Sequence, residues 1–293
     1  MNPGRQVMIL DGATGTELDR RGVDISLPLW SARALITAPD VLAAVHRDYL
    51  DAGADAITAN TFRTNRRTLA LEPSAHGALD ADELTIKAVR IARAVRDEHK
   101  PGALVLGSVA PLEDCYRPDR APGADDCARE HADLIETLVA AGVDRVLIET
   151  MNNLTETRAA ADAARRLAPG RWMVSFCMDT AAPPGTLLSG EPIEAILDEL
   201  RDAAAVGVNC VAAPEVVRQV EFLRKQLPDA VSIIAYANIG HADDRGNWVP
   251  TDAVNPDRYA DYAASWVSAG ASIVGGCCGT SPATIAAVVI RLR

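Results

Sequence analysis

The chain has 293 residues, with 40 acidic side chains against 29 basic ones and a formal net charge of −11, which opposes binding to nucleic acid or to an anionic membrane. No stretch approaches the roughly 18 uninterrupted apolar residues of a membrane span, and Met1 to Leu10 lacks the long apolar segment of a secretory leader, so a cytoplasmic protein acting on small molecules is expected. Six cysteines are too few for a disulfide framework in a chain this long and suit a reducing compartment, where thiols serve metals or catalysis.

In chain order, Val7-Met8-Ile9-Leu10 is an apolar run closed by Asp11-Gly12-Ala13-Thr14-Gly15-Thr16, a buried strand ending in a glycine-rich turn with one acid. After a loop holding Pro28 and Trp30, Pro39-Asp40 opens a helix that runs through Tyr49-Leu50 and stops at Ala52-Gly53-Ala54-Asp55. Ala56 to Ala59 follows as the second strand, and a strand with its returning helix then recurs about every 30 to 45 residues. Strands are expected near 103–107, 145–148, 172–176, 207–211, 231–235 and 272–274, with Glu149 at the tip of the fourth. Helices are expected near 81–98, 127–141, 156–167, 192–205, 215–226 and 257–268. A last one begins where Ser281 caps and Pro282 takes the first helical position. No Ser/Gly-rich or Pro-rich linker breaks the pattern, so one domain spanning residues 1–293 is expected.

Eight continuously apolar strands alternating with eight helices imply a parallel sheet buried on both faces. That many units in under 300 residues imply an α/β chain closed into a single (β/α)8 TIM barrel, with a doubly wound open sheet as the alternative. In a barrel the strand C-termini open at one mouth, which brings Asp11, Glu149, Cys210, Cys277 and Cys278 onto a shared face. Cys277 and Cys278 sit between glycines directly after the apolar run Ala271 to Val274, and Cys210 follows Gly207-Val208-Asn209. Three thiolates converging from two strand ends make a soft site that selects Zn²⁺ or Cu(I) and leaves one coordination position open. Without Cys210, the adjacent pair would read as small buried hydrophobes, an oxidised pair or a redox sensor.

Four stretches together resemble the zinc-dependent homocysteine S-methyltransferases over nearly the whole chain. They are Asp-Gly-Ala-Thr-Gly-Thr-Glu-Leu at 11–18, Ala52-Gly53-Ala54-Asp55 through Asn60-Thr61-Phe62, Gly-Val-Asn-Cys at 207–210 and Gly-Gly-Cys-Cys-Gly-Thr at 275–280. The cysteine motifs are the specific part. The resemblance implies that Cys210, Cys277 and Cys278 are the catalytic zinc ligands, that homocysteine adds its sulfur as the fourth ligand, and that methionine is the product. A Zn(Cys)3 unit of net charge −1 would keep an added thiolate deprotonated yet nucleophilic. The resemblance also implies that Asp11 and Glu149 hold the homocysteine ammonium. The amides from Gly12 to Gly15 offer a seat for its carboxylate. Either acid could instead cap a helix or pair with an arginine. Asn238, after Ala235-Tyr236-Ala237, offers an amide oxygen for the open metal position, or is a plain turn residue.

A methyl donor activated as a sulfonium or quaternary ammonium ion calls for aromatic faces, and Trp30, Phe62, Tyr116 and Trp248 fall in loops expected at the mouth. Leu29-Trp30-Ser31-Ala32 resembles the branch using S-methylmethionine or S-adenosylmethionine, whereas Asn60-Thr61-Phe62 with Asn65-Arg66 resembles the homocysteine modules of cobalamin-dependent methionine synthases. The chain has no room for a corrinoid or folate domain, so a small free sulfonium donor is expected. Betaine or a corrinoid protein as donor, and a non-catalytic barrel that binds zinc or a thiol, are the alternatives. Association into a homo-oligomer is left open by the sequence. Cys115, Cys127 and Cys177 show no paired spacing and are expected to be structural. The histidines, including His46, His131 and His241, are expected at the surface or at caps.

Overall fold

Strands β1 (Met8–Ile9), β2 (Ala56–Ala59), β3 (Leu104–Val109), β4 (Arg145–Met151), β5 (Trp172–Phe176), β6 (Ala205–Ala212) and β7 (Ser232–Asn238) are almost wholly buried on both faces in the computed structural model, which describes residues 6–72, 80–243 and 247–293. Apolar side chains on both faces require cover on both, and the helices between the strands supply it. A short antiparallel hairpin of β8 (Gly240–Ala242) and β9 (Trp248–Pro250) follows β7, and β10 (Ile273–Gly276) completes the sheet. The order is β1-β10-β7-β6-β5-β4-β3-β2, with parallel pairing throughout. The two ends of that order meet where Leu10 bridges Ala56 and the Asp11 N–H donates to the Ala56 carbonyl at 3.0 Å, which closes the expected TIM barrel. No helix among the described residues is long and apolar enough to cross a membrane.

Leu10, Leu106, Leu147, Met173, Ile234 and Ile273 pack together as one buried cluster lining the barrel. The larger core lies between strands and helices, with Trp172, Trp266, Tyr49 and Phe176 among its fully buried side chains. Helix Ala81–His99 shows why the helices settle there: Leu84, Ala88, Ala92 and Val95 recur on one buried face, and Asp80 caps the first turn by accepting from the N–H groups of Asp82 and Glu83. The last helix, Pro282–Leu292, begins as expected, with a capping box between Ser281 and Thr284.

Two expectations are corrected. Residues 192–205 form only a short helix, Glu194–Leu197, and a 3-10 turn, Asp198–Leu200, and Ala205 already pairs with Met173 and Ser232 in β6. The alanine-rich run is permissive for helix, but pairing on both edges of β6 claims it for the sheet. His46 and His131 are fully buried rather than superficial. His46 lies on the core face of helix Pro39–Asp51, where burial pushes its pKa down to about 4 and keeps the ring neutral.

Gly207 marks where the barrel is tightest: a Cβ there would lie 1.7 Å from the Ile234 carbonyl oxygen on β7. Gly207→Ala is expected to cost on the order of 3 kcal/mol or more, because the neighbour is backbone and cannot rotate away. Gly102→Ala, which meets nothing within 4 Å, is the control and should stay within about 1 kcal/mol of the parent in urea unfolding followed by circular dichroism.

Candidate active site and metal centre

The C-terminal ends of the strands surround a cavity of about 390 Å³ whose wall includes Asp11, Glu149, Trp30, Cys210, Cys277 and Cys278. Local backbone irregularity aims these side chains inward. The β4–β5 register shifts between Ile148 and Met151, and the β6–β7 register shifts between Asn209 and Ala212. At these two bulges Thr150 (φ 61°) and Cys210 (φ 60°) hold left-handed backbone, and Trp30 (φ 46°) does so across the mouth. Such conformations cost non-glycine residues roughly 1–3 kcal/mol each and collect at functional sites.

Asn209 fastens both bulges. Its Oδ1 accepts from the Thr150 N–H at 2.9 Å and from Ser175 Oγ at 2.8 Å, and its Nδ2 donates to Thr150 Oγ1 at 2.8 Å. Asn238 fastens the cysteines in turn: its Nδ2 donates to the Cys210 carbonyl at 2.9 Å and its Oδ1 accepts the Cys278 N–H at 3.0 Å. That oxygen, considered above for a metal, is thus engaged with the backbone. The three sulfurs of Cys210, Cys277 and Cys278 lie within 4.8 Å of one another, and Tyr116 Oη lies 2.9 Å from Cys210 Sγ. Hydrogen bonds from the Cys277 and Cys278 thiols hold Cys210 well below the ordinary thiol range, while those two are pushed well above it. Three thiols this close share one negative charge on their own, and a thiophilic dication is what lets all three ionise. The all-sulfur donor set fits zinc.

Two buried acids share the cavity with the sulfurs. Asp11 Oδ2 accepts from the Thr58 N–H at 2.7 Å and Oδ1 from Thr58 Oγ1 at 3.0 Å, yet burial outweighs these bonds and raises its pKa to about 7. Glu149 is raised to about 7 as well, with burial the main cause. Tyr236 Oη donates to Glu149 Oε2 at 3.2 Å and Ser108 Oγ to Oε1 at 2.5 Å, and burial outweighs both bonds. Tyr236 Oη also lies 2.6 Å from Ser175 Oγ, which donates to Asn209 Oδ1 at 2.8 Å.

Gly12 lines the same wall, where a Cβ would meet Thr280 Oγ1 at 2.7 Å and the Tyr49 ring at 2.9 Å. Phe62 meets Trp30 edge-on at 5.4 Å. Two of the cysteines expected to be structural lie close by: Cys115 is on the cavity wall, and Cys177 Sγ is 3.8 Å from the Cys210 carbonyl oxygen. Cys127 lies instead in the first turn of helix Ala124–Ala141, its thiol 3.4 Å from the Pro122 carbonyl oxygen. His131 Nε2 is 3.1 Å from Glu156 Oε1, which also takes the Leu112 N–H at 2.8 Å. That pair ties down the loop carrying Cys115 and Tyr116. Sequence reasoning missed Thr58, Ser108, Ser175, Asn209 and Tyr236. Their signal was a polar side chain inside an otherwise apolar strand.

The family described as homocysteine S-methyltransferase matches residues 8–292. This chain belongs to that family. It is 32% identical to a homocysteine S-methyltransferase of Escherichia coli (strain K12), over 98% of this chain and 96% of that one. It is 30% identical to the homocysteine S-methyltransferase YbgG of Bacillus subtilis (strain 168), over 100% and 98%. The metallated form of the homocysteine methyltransferase MmuM from Escherichia coli superposes with a TM-score of 0.82 at 28% identity, covering 98% of this chain and 97% of that one. Homocysteine S-methyltransferases move a methyl group to the sulfur of homocysteine, and this is the reaction class of the chain.

The raised pKa of Glu149 has a measurable consequence. From about pH 4.5 to 7 the native protein holds a proton that the unfolded chain has released, so this group's contribution to stability is lost as pH rises through about 7. Glu149→Gln keeps the shape of the side chain and removes its ionisation. Metal-free Glu149→Gln protein is expected to match the parent near pH 5 and exceed it by about 3 kcal/mol near pH 8 in urea unfolding. A difference that does not change with pH would mean that Glu149 is ionised throughout.

Proposed function

We propose that this enzyme transfers a methyl group from a small sulfonium donor, S-methylmethionine or S-adenosylmethionine, to the sulfur of homocysteine, and that Cys210, Cys277 and Cys278 would hold the zinc ion that activates it. The observation that carries this reading is the convergence of three thiols in one cavity with two buried acids. When bound, zinc supplies the charge that keeps a fourth sulfur ligand deprotonated at neutral pH. Asp11 and Glu149 accept the substrate ammonium, giving up their resting protons as it arrives. The open amides at Thr14 to Thr16, the first turn of helix Thr14–Arg20, receive its carboxylate. Asn238 keeps the cysteine segments at a fixed spacing, so the ligand sulfurs need no rearrangement.

Trp30 and Phe62 present aromatic surface to the donor's cation. The homocysteine sulfur attacks the donor methyl carbon in line. The new S–CH3 bond forms as the donor C–S bond breaks, and its electron pair stays on a neutral sulfide. Opposite charges cancel as the transition state forms, so a mouth that excludes water favours the reaction.

Two measurements test the proposal. Cys210→Ala should lose its zinc, read by metal analysis, while keeping the parent's circular dichroism, because the barrel core does not pass through the metal. Full zinc occupancy in that variant would remove Cys210 from the ligand set. Zinc-loaded enzyme given homocysteine and each donor separately should form labelled methionine from the sulfonium donors and little from betaine. Turnover with betaine alone would overturn the donor assignment, and no turnover with any free donor would point to a protein-bound methyl source or a non-catalytic barrel.

A further inference from the structure

Under the assignment proposed above, homocysteine leaves one charged corner of the cavity unused. Among the described residues, Arg63 is the one cationic side chain on its wall. It is half-buried and pairs with no carboxylate. Its Nη1 donates to the Glu113 carbonyl at 2.9 Å and its Nε is buried without a partner, while the Glu113 carboxylate turns instead to Arg67 at 3.4 Å. Its Nη2 has no hydrogen-bond partner among the described residues, and an acceptor entering the cavity would supply one. The adjoining residue Asp114 also lines the cavity. Its Oδ1 accepts the Tyr116 N–H at 2.9 Å, and no cation pairs with it among the described residues. Arg63 and Asp114 therefore face one space with their charges unspent on each other.

Arg63 is also set apart from the seat proposed for the homocysteine carboxylate. Gly15 lies so close beneath Trp30 that a Cβ would be 2.5 Å from the indole ring. Trp30 meets Phe62 at 5.4 Å, and the Phe62 ring lies 5.6 Å from the Arg63 guanidinium carbon. Two aromatic rings thus separate the turn amides from the guanidinium. One α-carboxylate has its seat at the turn, and Arg63 calls for another.

We propose that Arg63 and Asp114 read the amino-acid head of the methyl donor, Arg63 taking its α-carboxylate and Asp114 its ammonium. This rests on the sulfonium reading above and names the residues that recognise the head group its two donors share. A planar guanidinium suits a carboxylate, and the aromatic rings lie beside it for the sulfonium carried on the same molecule. Betaine has a carboxylate but no N–H to give Asp114. A simple trialkylsulfonium has neither group.

S-Methylmethionine titrated calorimetrically into zinc-loaded protein without homocysteine should bind at least tenfold more weakly to Arg63→Gln and to Asp114→Asn than to the parent. Arg63→Lys, which keeps the charge and loses the fork, should fall between and serves if Arg63→Gln does not fold. In steady state the ratio of kcat/KM for S-methylmethionine to that for trimethylsulfonium should drop at least tenfold in Arg63→Gln. An equal loss for both donors would overturn the proposal, and so would a loss of homocysteine binding with S-methylmethionine binding unmoved, which would give Arg63 to the acceptor. Should the parent turn over no donor, the methyl-transfer reading fails by itself. The two calorimetric titrations still decide the role of Arg63, and a parent that does not bind S-methylmethionine overturns it.

Discussion

The site depends on one buried amide. Asn209 reaches from the bulge of β6 to the bulge of β4 and bonds both the backbone and the side chain of Thr150. Left-handed backbone at Thr150 and Cys210 costs roughly 1–3 kcal/mol at each position, and three buried hydrogen bonds at about 1 kcal/mol apiece offset a comparable amount. The orientation of the amide is not free, because the Thr150 N–H requires an oxygen. One residue therefore places a metal-ligand candidate, Cys210, and an acid, Glu149, in fixed relation on one cavity wall.

The same oxygen anchors the chain of contacts through Ser175 and Tyr236 to Glu149, which joins the bulges to the acids. Two acids and three thiols around one cavity would repel one another if all were ionised. Raised pKa values at Asp11 and Glu149, and a single readily ionised thiol among the three cysteines, keep the apo site close to neutral. Under the proposed function, an ammonium and a dication would reverse both conditions. Each brings the positive charge that the chain does not supply at that end of the cavity.

The barrel was legible because buried parallel strands are apolar on both faces and helices between them have one apolar face, and both patterns survive in a linear reading. The cysteines were legible because glycines flank them at strand ends, and Asp11 and Glu149 because strand tips share a mouth. Asn209, Ser175, Ser108 and Tyr236 were not. Within a strand the sequence does not say which polar side chain faces inward, and a bulge changes the alternation after it. Neither a left-handed Thr150 nor the tie from Asn209 to it leaves a pattern along the chain. Helix 192–205 failed for a related reason: alanines permit helix or strand, and only the neighbouring strands decide.

Depth orders the cavity. Asp11 is 4% exposed and Glu149 8%, whereas Tyr116 is 49% exposed and Trp248 46%, so the acids lie at the floor and the aromatic residues reach the rim. Under the proposed assignment an acceptor seated on the acids lies at the floor beside the sulfurs of the cysteines, and a donor enters over it from the rim. A donor that entered first would cover the route to the floor. Homocysteine first and donor second is therefore the order that the shape of the mouth favours, and in that order the arriving donor expels the water between the two sulfurs that must meet.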